Sequence, residues 1–293
     1  MILIDYSQTV IGAFFSEASG TGESDPNLIR HLVLNMLRSY NLKYKNEYGQ
    51  MIICADGTNT WRKEAFPYYK ANRAKNREET KDKIDWSALY DAMNGILKEI
   101  QSVNLYPTLK LRGAEADDII AVLTKQAFKE YGKEKKTLII SSDKDFVQLQ
   151  KYGNVSQYSP IKKQMLKEKN PNDFLIEHCI RGDIGDGCPN IFSSDDTLVD
   201  PTKRQSPVTK KKLEQMMNFI YNKNTSPIPE EWKRNYDRNK KLIDLDQIPK
   251  EIEEQIIDQW NEVKDKEVDQ KAFMDFLIKN RMKLLLESIH EFF

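Results

Sequence analysis

Apolar residues fall along this chain in two rhythms. Short apolar runs ending in a carboxylate recur three times: MILID at 1–5, MIICAD at 51–56 and TLIISSD at 137–143. Runs of this length, bounded by polar residues, predict strands buried on both faces. LYPTLKL at 105–111 predicts a further strand. Between them, IRHLVLNMLRSYNLKY, KIDWSALYDAMNGILKEI and EADDIIAVLTKQAFKEY place apolar residues at the three- and four-residue spacing of amphipathic helices. Strands alternating with helices predict an α/β fold, a mostly parallel central sheet with helices on both faces. After about residue 170 the strand rhythm stops. NDFLIEHCIRG, VTKKKLEQMMNFIY, EEWKRNYDRNKKLI, EIEEQIIDQWNEV and DQKAFMDFLIKNRMKLLLESIHEFF all read as helices. The Pro-, Ser- and Thr-bearing segment 193–208 predicts a flexible connection. The expected division is an α/β core over 1–185 and a C-terminal helical lobe over 186–293.

Composition sharpens this in a few places. The 293 residues are 39% hydrophobic, enough for a sizeable core, and 31% charged. The 45 basic and 45 acidic residues cancel, so any attraction to nucleic acid must come from local runs. Three cysteines, Cys54, Cys179 and Cys188, without regular spacing argue against a disulfide framework and for a reducing compartment. The stretch MILIDYSQTV lacks the basic and apolar regions of a signal peptide. No apolar run approaches the roughly 20 residues that span a bilayer. The expectation is a soluble intracellular protein with no membrane partner.

The carboxylates carry the chemistry. Asp5, Asp56 and Asp143 each close an apolar strand, and strands of a parallel sheet present their carboxyl ends at one edge, where ligands bind. Asp145 follows two residues later, and Glu115, Asp117 and Asp118 open a helix expected at the same edge. Singly, each acid has an ordinary explanation as a helix-terminal or turn residue. Together they are costly: two unit charges 4 Å apart repel by about 4 kcal/mol at an effective dielectric of 20. Protons or cations must offset that repulsion, and oxygen donors suit Mg²⁺ or Mn²⁺. His178, Cys179 and Cys188 give a poor spacing for zinc. No G-x-G-x-x-G or P-loop is present, and Ser7 stands where many aspartyl-phosphate enzymes carry a second acid. Neither of the other histidines, His31 and His290, nor His178 is placed as a general base.

In order, IDYSQT, CADGTNTWRKEAFPYYKANR, EADDIIAVL, IISSDKDFVQL and RGDIGDG resemble the 5′-nuclease (flap endonuclease-like) superfamily. The resemblance is closest to the ribonuclease H branch of T-even-like bacteriophages and extends to the 5′-nuclease domains of bacterial DNA polymerases. It covers roughly residues 1–190 with specific motifs. It implies a PIN-like/5′-nuclease core that binds two Mg²⁺, with Mn²⁺ able to substitute. Asp5, Asp56, Glu115, Asp117 and Asp143 match the acids around the first metal; Asp145, Asp183 and Asp186 match those nearer the second; Asp118 matches an acid one step back. It further implies 5′-3′ nuclease activity on RNA·DNA and DNA duplexes, 5′-flap cleavage, and primer removal in the cytoplasm of a bacterial host. A non-catalytic DNA-binding relative and a PIN-like ribonuclease are the alternatives.

WRKEAFPYYKANRAKNR at 61–77 holds six basic residues and one acid, interleaved with Trp61, Phe66, Tyr68 and Tyr69. Basic residues attract phosphate and rings stack on unpaired bases; a plain surface helix with snorkelling lysines is the alternative. By resemblance this is the arch or bridge, spanning 57–85, with Lys70 and Arg73 on the scissile or adjacent phosphate and Arg62, Lys63, Tyr69, Lys75 and Arg77 as further nucleic-acid contacts. The second basic cluster, Lys203, Arg204, Lys210, Lys211 and Lys212, falls where the family grips duplex with a helix–turn–helix. Gly187, Cys188 and Pro189 depart from the family's glycine-rich turn, which puts its monovalent-cation site in doubt here. The implied substrates are RNA·DNA hybrid and flap, nicked or forked duplex DNA; the implied partners are a phage single-stranded DNA-binding protein and a sliding clamp. LESIHEFF at 286–293 resembles a clamp-binding peptide, although an amphipathic helix end packed on the body explains it as well.

Overall fold

The computed structural model describes residues 1–17, 25–80, 84–222 and 227–293. Strands β1 (Ile2–Asp5), β2 (Met51–Cys54), β3 (Thr108–Leu109), β4 (Thr137–Ile140), β5 (Val155–Ser159) and β6 (Gln164–Leu166) form one sheet in the order β3-β2-β1-β4-β5-β6. All neighbours pair in parallel except β5 and β6. The chain winds outward from β1 to β3, then returns to lay β4 on the other side of β1. The β1/β4 boundary is therefore the switch point of a doubly wound sheet.

The helices before residue 150 are α1 (Tyr6–Glu17), α2 (Pro26–Tyr48), α3 (Trp61–Ala65), α4 (Asn72–Thr80), α5 (Trp86–Ser102) and α6 (Ala116–Tyr131). Strand side chains alternate between the faces, as the pleat demands. Ile2 and Ile4 bury against α1, α2 and α5, while Leu3 and Ile52 bury against α6. The expected third strand shrinks to two residues, because the Lys110 backbone N–H turns to Gln259 Oε1 at 3.1 Å. The last two strands carry no apolar run. Val-Ser-Gln-Tyr-Ser alternates instead, and buried Gln157 is satisfied by donating to the carbonyls of Ser141 at 3.0 Å and Asp143 at 2.6 Å.

The later helices are α7 (Pro171–Arg181), α8 (Lys210–Ile220), α9 (Glu230–Ile243), α10 (Lys250–Val263), α11 (Gln270–Lys279) and α12 (Lys283–Glu287). They do not stay together. Helices α7, α8 and α9 share a small core around Ile180, Ile191, Met216 and Ile228. Helix α10 returns to the α6 face through Ile256, and α11 and α12 return to the α2 face through Phe273, Leu277 and Leu285. The segment 193–208 is irregular, but it is closed by hydrogen bonds rather than loose. The Asn190 N–H donates to Gln205 Oε1 at 2.7 Å and its amide to the Ser206 carbonyl at 2.9 Å.

At the C-terminus the chain forms the packed helix end, the second of the two readings of 286–293. Phe292 is 1% exposed and meets Phe273 edge-on, with ring centres 5.0 Å apart. Its carbonyl accepts from the Tyr106 hydroxyl at 3.1 Å, and Arg38 pairs with Glu291 at 2.8 Å. The Phe292 ring is thus part of the core. Phe292→Ala is expected to lower unfolding free energy by about 3–5 kcal/mol, the usual range for truncating a buried phenylalanine. Urea denaturation measures this, and a loss under about 1 kcal/mol would contradict the packing.

Candidate active site

Four carboxylates from four separate segments line one cleft of about 810 Å³ at the carboxyl edge of the sheet: Asp5, Asp56, Asp117 and Asp143. Asp5 ends β1 and accepts from the Ser141 hydroxyl at 2.9 Å, which ties the two strands of the switch point together. Asp56 lies two residues past β2 and accepts the Ala116 N–H at 3.0 Å, an orphan donor at the start of α6. Asp117 sits in the first turn of that helix. Asp143 caps the 3-10 helix Lys144–Tyr152, accepting the Asp145 N–H at 3.0 Å.

Burial, then Asp56, pushes the Asp5 carboxyl up to about 7. Burial, then Asp145, does the same to Asp143, also to about 7. Burial and then Asp143 hold Asp117 well above the usual carboxylate range. These groups resist ionising in each other's company, so a hard cation fits among them. Their donor atoms are all oxygen, which matches a divalent ion of the Mg²⁺ or Mn²⁺ kind.

The bridge supplies the remaining charge. Lys70 Nζ donates to Glu115 Oε1 at 2.6 Å and lies 3.9 Å from Asp186 Oδ2. Arg73 Nη2 donates to Asp186 Oδ1 at 2.5 Å. The Tyr69 hydroxyl lies 2.8 Å from Glu115 Oε2 and 3.0 Å from Asp186 Oδ2. Burial alone would raise Asp186, but Lys70 and Arg73 outweigh it and hold the carboxyl below its ordinary value. A backbone seam joins the bridge to the turn after α7: the Lys70 N–H donates to the Asp186 carbonyl at 2.8 Å. Gly187, at φ +71°, lies so close that a Cβ there would sit 2.6 Å from the Tyr68 carbonyl oxygen.

Comparison with known proteins decides what this arrangement belongs to. The family model for the 5′-3′ exonuclease, N-terminal resolvase-like domain, matches residues 1–175. The chain belongs to the 5′-3′ exonuclease family. It is therefore a 5′-3′ nuclease by membership. A second family model, T4 RNase H, C terminal, matches residues 171–292 of this nuclease. Ribonuclease H of Enterobacteria phage T4 is 29% identical over 297 residues, covering 99% of this chain and 95% of that protein. A 5′-3′ exonuclease of Buchnera aphidicola subsp. Schizaphis graminum is 26% identical over 199 residues, 65% of each chain. Among solved structures, the T5 D15 protein co-crystallised with metal ions superposes with a TM-score of 0.63 at 17% identity, covering 89% of this chain and 98% of that one. The T5 D15 flap endonuclease in a pseudo-enzyme-product complex with DNA and metal ions gives 0.60 at 18% identity, covering 96% and 98%. These structures share the fold.

The nuclease places several sequence-identified residues away from the surface. Arg62 is buried, with Nη1 3.1 Å from Glu115 and 2.8 Å from Asp118 and Nε donating to the Leu242 carbonyl at 2.8 Å. It braces acids from behind and does not face solvent. Asp118 is buried too: its Oδ2 accepts the Glu115 N–H at 2.9 Å and the Trp61 indole N–H at 3.2 Å. Trp61, Phe66 and Tyr69 are buried, which leaves Tyr68 as the exposed ring of the bridge. Lys63, Arg73 and Arg77 are exposed, whereas the side chain of Lys75 and residues 81–83 of the bridge lie outside the described residues. In the second basic cluster, Lys203 pairs with Asp196, Arg204, Lys210 and Lys211 are exposed, and Lys212 lies 4.9 Å above the Phe192 ring.

Two features were not read from sequence. Cys188 fills an apolar pocket with Phe66, Tyr69 and Leu242, and the Pro189 carbonyl accepts from Arg238 at 2.8 Å and Asn239 at 2.9 Å. The turn that departs from the family is thus anchored to α9. His178, set aside as unsuitably placed, has Nε2 2.7 Å from Asp145 Oδ1 and 3.5 Å from Asp183 Oδ2. Its only linear signal is its position five residues before Asp183 at a helix end.

The raised carboxyls set a pH dependence. Asp5 and Asp143 keep protons in the folded chain up to about 7 that the unfolded chain, titrating near 3.8, has already lost. Metal-free stability therefore falls as pH rises through that window and levels off above it. Divalent-cation binding needs the ionised forms, so it strengthens over the same window. In scanning fluorimetry, Mn²⁺ is expected to raise the melting temperature more at pH 8 than at pH 5.5; equal shifts would contradict the assignment. Gly187→Ala is expected to cost more than the roughly 1–2 kcal/mol of left-handed strain, because the Tyr68 carbonyl must also move. Denaturant titration would show a smaller loss if the seam were slack.

Proposed function

We propose that this nuclease hydrolyses phosphodiesters of RNA·DNA hybrids and duplex DNA from the 5′ end, cuts 5′ flaps, and removes RNA primers during lagging-strand synthesis in an infected bacterial cell. The observation that carries the reading is the convergence of Asp5, Asp56, Asp117 and Asp143 on one cleft that Lys70 and Arg73 also face. Two divalent cations, one held by those four acids and one by Asp145, Asp183 and Asp186, would supply a water of lowered pKa and stabilise the leaving alkoxide. Mg²⁺ is the proposed ion, with Mn²⁺ able to replace it.

The chain's own residues do the rest. Lys70 and Arg73 neutralise a phosphodiester entering the cleft, exchanging their carboxylate partners for phosphate oxygens. Glu115 holds Lys70 at the cleft edge, and Arg62 and Tyr69 hold Glu115. Exposed Tyr68 is the ring available to an unpaired base. Three lysines in the first turn of α8 oppose the helix dipole, an arrangement poor for an isolated helix and suited to duplex phosphates.

Three substrates test the reading: a 5′-labelled flap, a nicked RNA·DNA hybrid and single-stranded RNA, each with Mg²⁺ or EDTA. Structure-dependent cutting from the 5′ end, abolished by EDTA, is expected. Binding without cutting would sink it, and cutting of single-stranded RNA alone would favour a PIN-like ribonuclease. Asp117→Asn is expected to lower cleavage at least about 100-fold while duplex affinity is retained, since one charge leaves a repulsive cluster. Normal cutting by that variant would overturn the metal assignment.

A further inference from the structure

A second cluster of donors lies beside the described cleft and differs from it in kind. His178 Nε2 and one carboxylate oxygen each from Asp145 and Asp183 lie within 4.8 Å of one another. His178 stands near the end of α7 and is 6% exposed, its ring beside Phe174 with centres 5.9 Å apart. Asp145 lies in the first turn of the 3-10 helix that follows β4, and Asp183 follows the α7 C-cap at Gly182. The Asp145 and Asp183 side chains keep narrow openings to solvent, at 11% and 13% exposure. Lys144 Nζ also reaches Asp183 Oδ2, at 3.0 Å, from a half-exposed position that lets it withdraw.

Resting on the two-cation reading above, we infer that the second cation site of this nuclease is a mixed one, in which the His178 imidazole ligates alongside Asp145 and Asp183 of the three acids given to it there. Three donors, two from helices and one from the turn just past α7, make a face around one small ion. Ligands about 2.0–2.2 Å from a metal stand roughly 3–3.5 Å apart, so donors that already lie within a few ångströms need only small rotations to close on it. Nitrogen changes which ion is preferred. Imidazole is a better donor to first-row transition ions, Zn²⁺ and Co²⁺ above Mn²⁺, than to Mg²⁺, whereas the all-oxygen set of Asp5, Asp56, Asp117 and Asp143 suits Mg²⁺ and Mn²⁺ alike. The two sites therefore differ in selectivity: the first accepts either ion, and the second prefers the transition metal.

Pulsed electron paramagnetic resonance on the metal-free full chain loaded with Mn²⁺, without DNA, tests this. The wild type is expected to show ¹⁴N coupling from a directly bound imidazole, and His178→Gln is expected to lose it. By calorimetry, His178→Gln should weaken one of two Mn²⁺ events at least about tenfold, since loss even of a residue that only orients a ligand costs 10–100-fold. Mg²⁺ binding should be little changed. Absence of ¹⁴N coupling in the wild type overturns the inference whatever the variant does, and so do Mn²⁺ isotherms that the substitution leaves unaltered. A chain that cuts DNA but shows no nitrogen coupling fails this inference alone; a chain with nitrogen-coupled Mn²⁺ that cuts nothing fails the nuclease reading and leaves the site standing.

Discussion

Mutual repulsion among carboxylates is the constraint on which the rest of this molecule turns. A parallel sheet sends its strand ends to one edge, and of three apolar strands here one ends in an aspartate and two reach one within three residues. Packing of Ile2, Leu3, Ile4 and their neighbours holds those acids together whether or not their charges agree. The apolar core thus does the work of concentrating negative charge. Everything around the edge is arranged to live with that concentration.

The arrangement is uneven. On one side, Glu115, Asp118 and Asp186 are met by Arg62, Lys70 and Arg73, and Asp186 is held below its ordinary range. On the other, Asp5, Asp117 and Asp143 are buried among further acids, Asp56 and Asp145 included, and are held above it. The cation-saturated side gives the cleft a fixed wall. The cation-poor side keeps an appetite for positive charge that the protein does not itself satisfy.

Much of this was legible in the sequence, for physical reasons that can be named. An apolar run ending in Asp announces both a buried strand and its exposed end, so Asp5, Asp56 and Asp143 could be placed at one edge. The density of Lys and Arg in 61–77 announced a cationic element. Which of those residues face outward was not legible: α3 is five residues long, too short for a periodic stripe, and Arg62 looks like any surface cation until Glu115 and Asp118 come to it through folding. Strand β5 was hidden by its polar sequence, since Gln157 is buried only because two loop carbonyls await it. The later helices read correctly as helices, but amphipathic periodicity does not say which core a stripe will meet. His178 escaped because its nearest partner, Asp145, lies on another element.

The seam between the bridge and the turn after α7 bears on how the protein comes into being. Tyr69 and Asp186 are 117 positions apart, and Arg62 reaches 180 positions to the Leu242 carbonyl. The α/β sheet needs nothing beyond about residue 166 to pair its strands. The cleft does need more: Asp186 cannot hold Lys70 and Arg73 until the turn after α7 has left the ribosome, and Arg62 has no carbonyl to rest on until the end of α9 has. The Arg62 brace behind Glu115 and Asp118 is therefore completed only with most of the chain already made.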